Sequence, residues 1–101
     1  MMLTGKEYEE SLRSLNLKVY SFGKRVENVV DDPIIRPSMK AVALTYDLAH
    51  QPEYEDLMTA TSHITGEKIN RFCHIHQSTA DLIKKTKMGR LLGSLTGSCF
   101  Q

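Results

Sequence analysis
Residues 38–50, SMKAVALTYDLAH, constrain the fold more than any other stretch of the chain. Placed on a helical wheel, Met39, Val42, Tyr46 and Ala49 lie on one side, while Ala41, Leu44, Thr45 and Leu48 cover much of the rest. A helix that is apolar over most of its circumference is buried on two sides. The chain has 101 residues, 41% of them apolar, and a chain of that size buries only about two-thirds of its unfolded surface. The helix therefore asks for more partner surface than the chain readily provides, and the sequence reads as the leading piece of a larger protein. Taken alone, it is expected to expose apolar surface around Val42 and Leu48 and to self-associate.

The rest of the chain arranges itself around this helix. Thr4 and Glu7 have capping-box spacing, and Tyr8, Leu12 and Leu15 recur at helical intervals, predicting an amphipathic helix over residues 5–15. Residues 18–30 place β-branched and aromatic residues on both sides of Gly23-Lys24, predicting a short β-hairpin that turns at Gly23. Asp31-Asp32-Pro33 marks a turn, and Arg36-Pro37-Ser38 a second boundary. Residues 53–58 suit one helical turn after Pro52. Residues 59–75 fit a loose hairpin or an irregular segment, and irregular extended structure is the reading adopted. Ser78 with Asp81, followed by Leu82, Ile83, Met88, Leu91, Leu92 and Leu95, predicts a closing helix of about 18–20 residues, roughly 27–30 Å long. The last six residues, TGSCFQ, show no helix-ending motif, so the chain is read as one mainly α domain, 1–101, truncated at its C-terminal end.

Composition excludes several classes. Thirteen Lys and Arg stand against 12 Asp and Glu, which lacks the basic excess of a nucleic-acid binder. The longest apolar runs fall far short of the ~20 residues of a membrane span, and the N-terminus lacks a signal peptide's apolar core. A cytoplasmic chain without nucleic-acid or membrane partners is expected, with Cys73 and Cys99 as reduced thiols or ligands.

Few residues form a recognisable chemical constellation. Cys73-His74-Ile75-His76 offers three metal-ligating side chains, but in extended structure Cys73 faces away from both histidines. The plainer reading is a buried cysteine flanked by two polar imidazoles. His50 and His63 are isolated. Lys84, Lys85, Lys87 and Arg90 form either a solvated helix face or a contact for a phosphate-bearing ligand. Arg90 stands out because it lies in the run leading to Cys99. Gly93 and Gly97 would let a bulky group approach closely, which suits a ligand near a cofactor. There is no glycine-rich phosphate loop, no evident catalytic acid pair and no nucleophile elbow.

Longer stretches carry a family likeness. Thr4-Gly5-Lys6-Glu7-Tyr8 with Ser11-Leu12, Val19-Tyr20 with Gly23 and Val26-Glu27, and Thr45-Tyr46-Asp47-Leu48-Ala49-His50 resemble the start of the flavin-dependent 4-hydroxyphenylacetate 3-monooxygenase large-component superfamily. Its 4-hydroxybutyryl-CoA dehydratase/vinylacetyl-CoA isomerase branch is resembled by Asp32-Pro33-Ile34-Ile35-Arg36-Pro37-Ser38, Asn70-Arg71-Phe72 and His76-Gln77-Ser78-Thr79. Lys87-Met88-Gly89-Arg90-Leu91-Leu92-Gly93 and Thr96-Gly97-Ser98-Cys99-Phe100-Gln101 strengthen that likeness. The resemblance implies the helical N-terminal domain of an acyl-CoA dehydrogenase-like flavoenzyme of anaerobic fermentation. It further implies a homotetramer with FAD and a [4Fe-4S] cluster, acting on an acyl-CoA. The family's cluster is held by three cysteines and a histidine; Cys99 matches the first, whereas Cys73, His74 and His76 match none. Arg90 and Gln101 match positions near the active site and are expected to contact substrate or cofactor. The remainder of its own chain would be the domain's main partner, and neither cofactor is fully bindable by these residues alone. The competing readings are the N-terminal domain of a flavin-dependent aromatic hydroxylase and a cofactor-free helical interaction module.

Overall fold
The structure is a computed structural model that describes residues 2–98 and Phe100. Helix α1, Gly5–Ser14, starts at the predicted capping box: Thr4 Oγ1 accepts from the Glu7 N–H at 3.2 Å, and Glu7 Oε1 accepts from the Thr4 N–H at 3.0 Å. The Thr4 N–H, followed by the Thr4 hydroxyl, holds the Glu7 carboxyl below the usual glutamate range. The first residue of α1 is a glycine for a non-local reason. Its N–H donates to Asp47 Oδ1 at 2.7 Å, and a Cβ there would lie 2.7 Å from the Ala43 carbonyl oxygen. Only a residue without a side chain lets α1 seat its N-terminus on α2, the helix of residues Arg36–Leu48. Tyr8 and Tyr46 stack with ring centroids 4.8 Å apart, and Lys40 pairs with Glu9 across the same interface.

Strands β1, Val19–Ser21, and β2, Lys24–Val26, form the predicted hairpin, with Val19 opposite Val26 and Ser21 opposite Lys24. Both turn residues have positive φ, Phe22 at 51° and Gly23 at 76°, as the tight turn matching strand twist requires. Beyond it, Arg13 grips Asp31 through a two-nitrogen fork at 3.1 and 3.2 Å, and Asp32 Oδ1 accepts from the Ile34 and Ile35 N–H groups. Helical hydrogen bonding is already under way at Arg36, whose N–H donates to the Asp32 carbonyl at 2.8 Å. Helix α2 thus begins ahead of the expected boundary, with Pro37 in the first turn, where its missing N–H costs nothing.

Helix α2 is indeed buried on two sides, but largely by the chain itself. Met39, Ala43, Thr45 and Leu48 are all buried, so the expected exposure at Leu48 is corrected, and Val42 is half-covered. Its C-terminal end meets α3, Glu55–Met58, and α4, Thr79–Thr96, in a core of Leu48, Ala49, Met58, Met88 and Leu92.

Between α3 and α4, the expectation of irregular structure is overturned. Strands β3, Thr59–Thr61, and β4, Lys68–Asn70, pair antiparallel, with Ala60 opposite Ile69. Ser62 organises the connection by accepting from the Ile64 and Thr65 N–H groups, and Gly66 turns it at φ 73°. A 3-10 turn, Arg71–Cys73, follows.

Helix α4 opens at Ser78, whose side chain accepts from the Asp81 N–H, as predicted. It closes on Gly97 at φ 69°, the left-handed cap that only glycine adopts freely, with the Gly97 N–H donating to the Gly93 carbonyl at 2.9 Å. The helix-ending signal overlooked in the sequence is therefore Gly97. In all, close to half of the chain is α-helical, with two small hairpins rather than one. The molecule measures 45 × 28 × 22 Å. Among the described residues no helix is long and apolar enough to cross a membrane.

Candidate functional site
Gly89, Gly93 and Gly97 recur every fourth residue along α4 and share one face. A Cβ on Gly89 or Gly97 would meet nothing within 4 Å, and one on Gly93 would meet only the Ser98 carbonyl oxygen at 3.6 Å. The glycines therefore keep space open. Together with Leu82, Lys85, Thr86, Ser98 and Phe100 they line a groove of about 810 Å³. A second, more apolar hollow of about 200 Å³ is lined by Val42, Thr45 and Tyr46 of α2, with Asn70, Phe72, Cys73 and Phe100. Phe100 walls both spaces, and its ring lies 6.1 Å from that of Phe72. Asn70 holds β4 to α2 by donating from Nδ2 to the Thr45 carbonyl at 3.3 Å.

Of the residues singled out in the sequence, Gly93 and Gly97 meet in this groove, while Arg90 is exposed on α4 beside Gly89. Among the described residues Arg90 makes no ion pair, so its charge is not spent on holding the fold. Cys99 and Gln101 lie outside the described residues. Lys84 pairs with Asp56 at 2.9 Å, and that contact holds the Asp56 carboxyl below its usual range. Lys85 and Lys87 are exposed.

The Cys73–His76 reading is reversed. Cys73 is exposed, not buried, and His74 is the covered side chain, 5% exposed, with Nε2 at 3.0 Å from Asp81 Oδ2. The 3-10 turn accounts for this, because it rotates Cys73 out of the alternation that an extended strand would impose. His76 is exposed, His50 Nε2 lies 3.1 Å from the Leu3 carbonyl, and His63 sits edge-on to His74.

No group of three or more His, Cys, Asp or Glu able to hold a metal occurs among the described residues. Iron–sulfur clusters take four protein ligands, and the described residues do not supply such a set on their own. Sequence reasoning named Phe100 and Asp47 only within the family likeness and gave them no role, since both act through contacts far apart in the chain. It noted Arg71 only within the family likeness, although its side chain is buried, at 4% exposure.

With this geometry in hand, comparison with known proteins is informative. The family described as "4-hydroxyphenylacetate 3-hydroxylase N terminal" matches residues 4–101. Across 101 residues the chain is 58% identical to the 4-hydroxybutyryl-CoA dehydratase/vinylacetyl-CoA-Δ-isomerase of Clostridium aminobutyricum, covering all of this chain and 21% of that protein. It superimposes on an oxygen-tolerant archaeal 4-hydroxybutyryl-CoA dehydratase from N. maritimus with a TM-score of 0.90 and 53% identity, covering 100% of this chain and 20% of that one. The oxygenase component of 4-hydroxyphenylacetate 3-monooxygenase, solved in complex with FAD, matches with a TM-score of 0.75 and 26% identity, over 92% of this chain and 19% of that one. The chain thus spans about a fifth of the length of these relatives. By the match over residues 4–101, the chain belongs to the 4-hydroxyphenylacetate 3-hydroxylase N-terminal family.

Proposed function
We propose that this chain is the N-terminal part of an acyl-CoA dehydrogenase-like enzyme that dehydrates 4-hydroxybutyryl-CoA to crotonyl-CoA and isomerises vinylacetyl-CoA. The observation that carries the reading is likeness to the dehydratases along the entire chain, at 53% identity for the archaeal dehydratase structure against 26% for the monooxygenase structure. FAD and a [4Fe-4S] cluster belong to this proposal. They would supply the one-electron chemistry that makes a weakly acidic substrate proton removable, and most of their ligands would come from the remainder of the chain. Cys99 is proposed as one cluster ligand, with Arg90 and Gln101 as contacts to substrate or cofactor. Arg90 suits that role because no acidic side chain among the described residues claims it. The full enzyme is proposed to be a cytoplasmic homotetramer, and the 101-residue chain alone to be inactive.

The test is anaerobic preparation of the full-length gene product, with flavin, iron and sulfide analysis and an assay for crotonyl-CoA formation. Cys99→Ala is expected to lower turnover by more than about 100-fold and to reduce iron content. A fully active, iron-free protein would overturn the reading. A second reading, an aromatic hydroxylase, draws support from the FAD-bound oxygenase structure at a TM-score of 0.75. An iron-free flavoprotein that hydroxylates a phenol would favour it.

A further inference from the structure
The β1–β2 hairpin is an arm with an apolar tip. Apart from each other, its strands pack closely against no other described helix or strand. Val19 and Val26 face each other on the half-buried side, while Tyr20 and Arg25 stand opposite one another on the outer side, both exposed. At the turn, Phe22 is 86% exposed and holds φ 51°. A bulky side chain is a rare occupant of that left-handed region, and Asn or Asp before Gly would make the same turn at lower cost. Phe22 therefore serves neither burial nor turn geometry within this chain, and a strained, solvated aromatic ring is accounted for by what covers it.

At the root of the arm lies a hollow of about 300 Å³ with an apolar wall of Leu12, Leu15, Leu17, Val26 and Val29. Leu15 and Leu17 are 53% and 63% exposed, so the wall is open to solvent. A cavity of about 150 Å³ already admits a benzene ring, which leaves room here for a phenylalanine side chain. The arm is paired along all three residue pairs, which sets its tip about 10 Å from its root. Phe22 thus cannot fold back into the hollow of its own chain, and the two features fit each other only between different copies.

The charges match in the same sense. Lys24 and Arg25 follow the turn, are exposed, and make no ion pair among the described residues. Two charged residues line the hollow. Arg13 is forked to Asp31 and lies 3.5 Å from Glu10, whereas Glu27 is exposed and makes no ion pair among the described residues. Lys18, ahead of β1, is exposed and does not line the hollow. The tip is therefore cationic, and the one uncommitted charge in the hollow is anionic.

We propose that two copies of this chain exchange hairpins about a two-fold axis, each Phe22 entering the other copy's hollow with Lys24 and Arg25 beside the other copy's Glu27. Two antiparallel arms overlapping along their length bring tip to root twice, as an isologous contact requires. Each exchange covers the Phe22 ring together with the exposed Leu15 and Leu17. The proposal uses only this chain's own surface and survives or fails without the reaction proposed above.

Sedimentation of this chain over a concentration series up to about 1 mM tests it and should show a monomer–dimer equilibrium that weakens with added salt. Phe22→Asn places a better turn former at the tip, so it should raise the unfolding midpoint of the dilute monomer while weakening dimerisation at least about 30-fold. Those opposite signs separate a lost contact from a damaged fold. Glu27→Lys and Lys24→Glu should each weaken dimerisation about fivefold, and an equimolar mixture of the two variants should regain it, because each root then meets a tip of opposite charge on the other copy. Three results would overturn the proposal: a chain that stays monomeric, as when another part of a longer chain covers the tip; undiminished association in Phe22→Asn; or a mixture no stronger than its components.

Discussion

Met88 and Leu92 leave α4 on one side and are buried at 1% and 0% exposure, whereas Gly89, Gly93 and Gly97 on the neighbouring face look into an open groove. The two faces are built by opposite means. Burial on the first comes from side chains that α2 and α3 meet, Leu48, Ala49 and Met58 among them. The second is a space made by leaving side chains out, bordered by Leu82, which is itself half exposed at 53%. A helix can therefore contribute as much by what it omits as by what it packs, provided its other face is firmly held.

The largest effect expected from this contrast is on the buried face. Leu92→Ala should cost about 3 kcal/mol, seen as a lower urea midpoint with an unchanged slope. A loss below about 1 kcal/mol would mean that the α2–α3–α4 core is not what holds α4 in place. On the glycine face the sign should reverse. Gly89→Ala meets nothing within 4 Å and should stabilise this chain by about 1 kcal/mol through helix propensity, read in the same denaturation experiment. Destabilisation there would mean that the groove is occupied in solution.

The smallest effect is shared by both ends of the molecule, because three of the four groups involved are exposed and Asp81 is partly so. Thr4 bonding lowers the Glu7 pKa, Arg13 that of Asp31, Lys84 that of Asp56, and the Gln77 N–H followed by His74 that of Asp81. A carboxyl whose folded pKa is depressed adds stability above its unfolded value and loses it as pH falls through the folded one. Thermal unfolding should therefore change little through these groups at neutral pH and should drop below about pH 4. Asp81→Asn should flatten part of that acid limb while leaving the limb due to Asp31 intact.

What the sequence revealed was mostly local. The Thr4–Glu7 box, the Ser78 cap and the turn at Gly23 are each decided within four residues, and each is found as expected. The β3–β4 hairpin was set aside for irregular structure because its strands, as short as those of β1 and β2, are joined by six residues, 62–67, rather than by a two-residue turn like Phe22-Gly23. Gly5 and Asp47 are 42 positions apart, and no local pattern links a helix's first glycine to a carboxylate on another helix. Gly97 was read for the room it leaves rather than as a stop, although it serves both ends. The reversal at Cys73 and His74 has one cause, a single 3-10 turn that changes which side chains face inward. In the candidate site, two of the three groove glycines were legible, and Arg90 is exposed beside them. The buried Arg71 was not legible as a structural residue, because its partners are main-chain carbonyls that any sequence would supply.

Phe100 forms part of the wall of both the 810 Å³ groove and the 200 Å³ hollow. A single ring shared in this way makes the two volumes interdependent. Anything that pushes the ring toward α2 enlarges the groove at the expense of the hollow, and anything that fills the hollow drives the ring back against the glycine face. The two spaces thus behave like the arms of a balance with Phe100 as its beam: the room available on one side is set by what sits on the other.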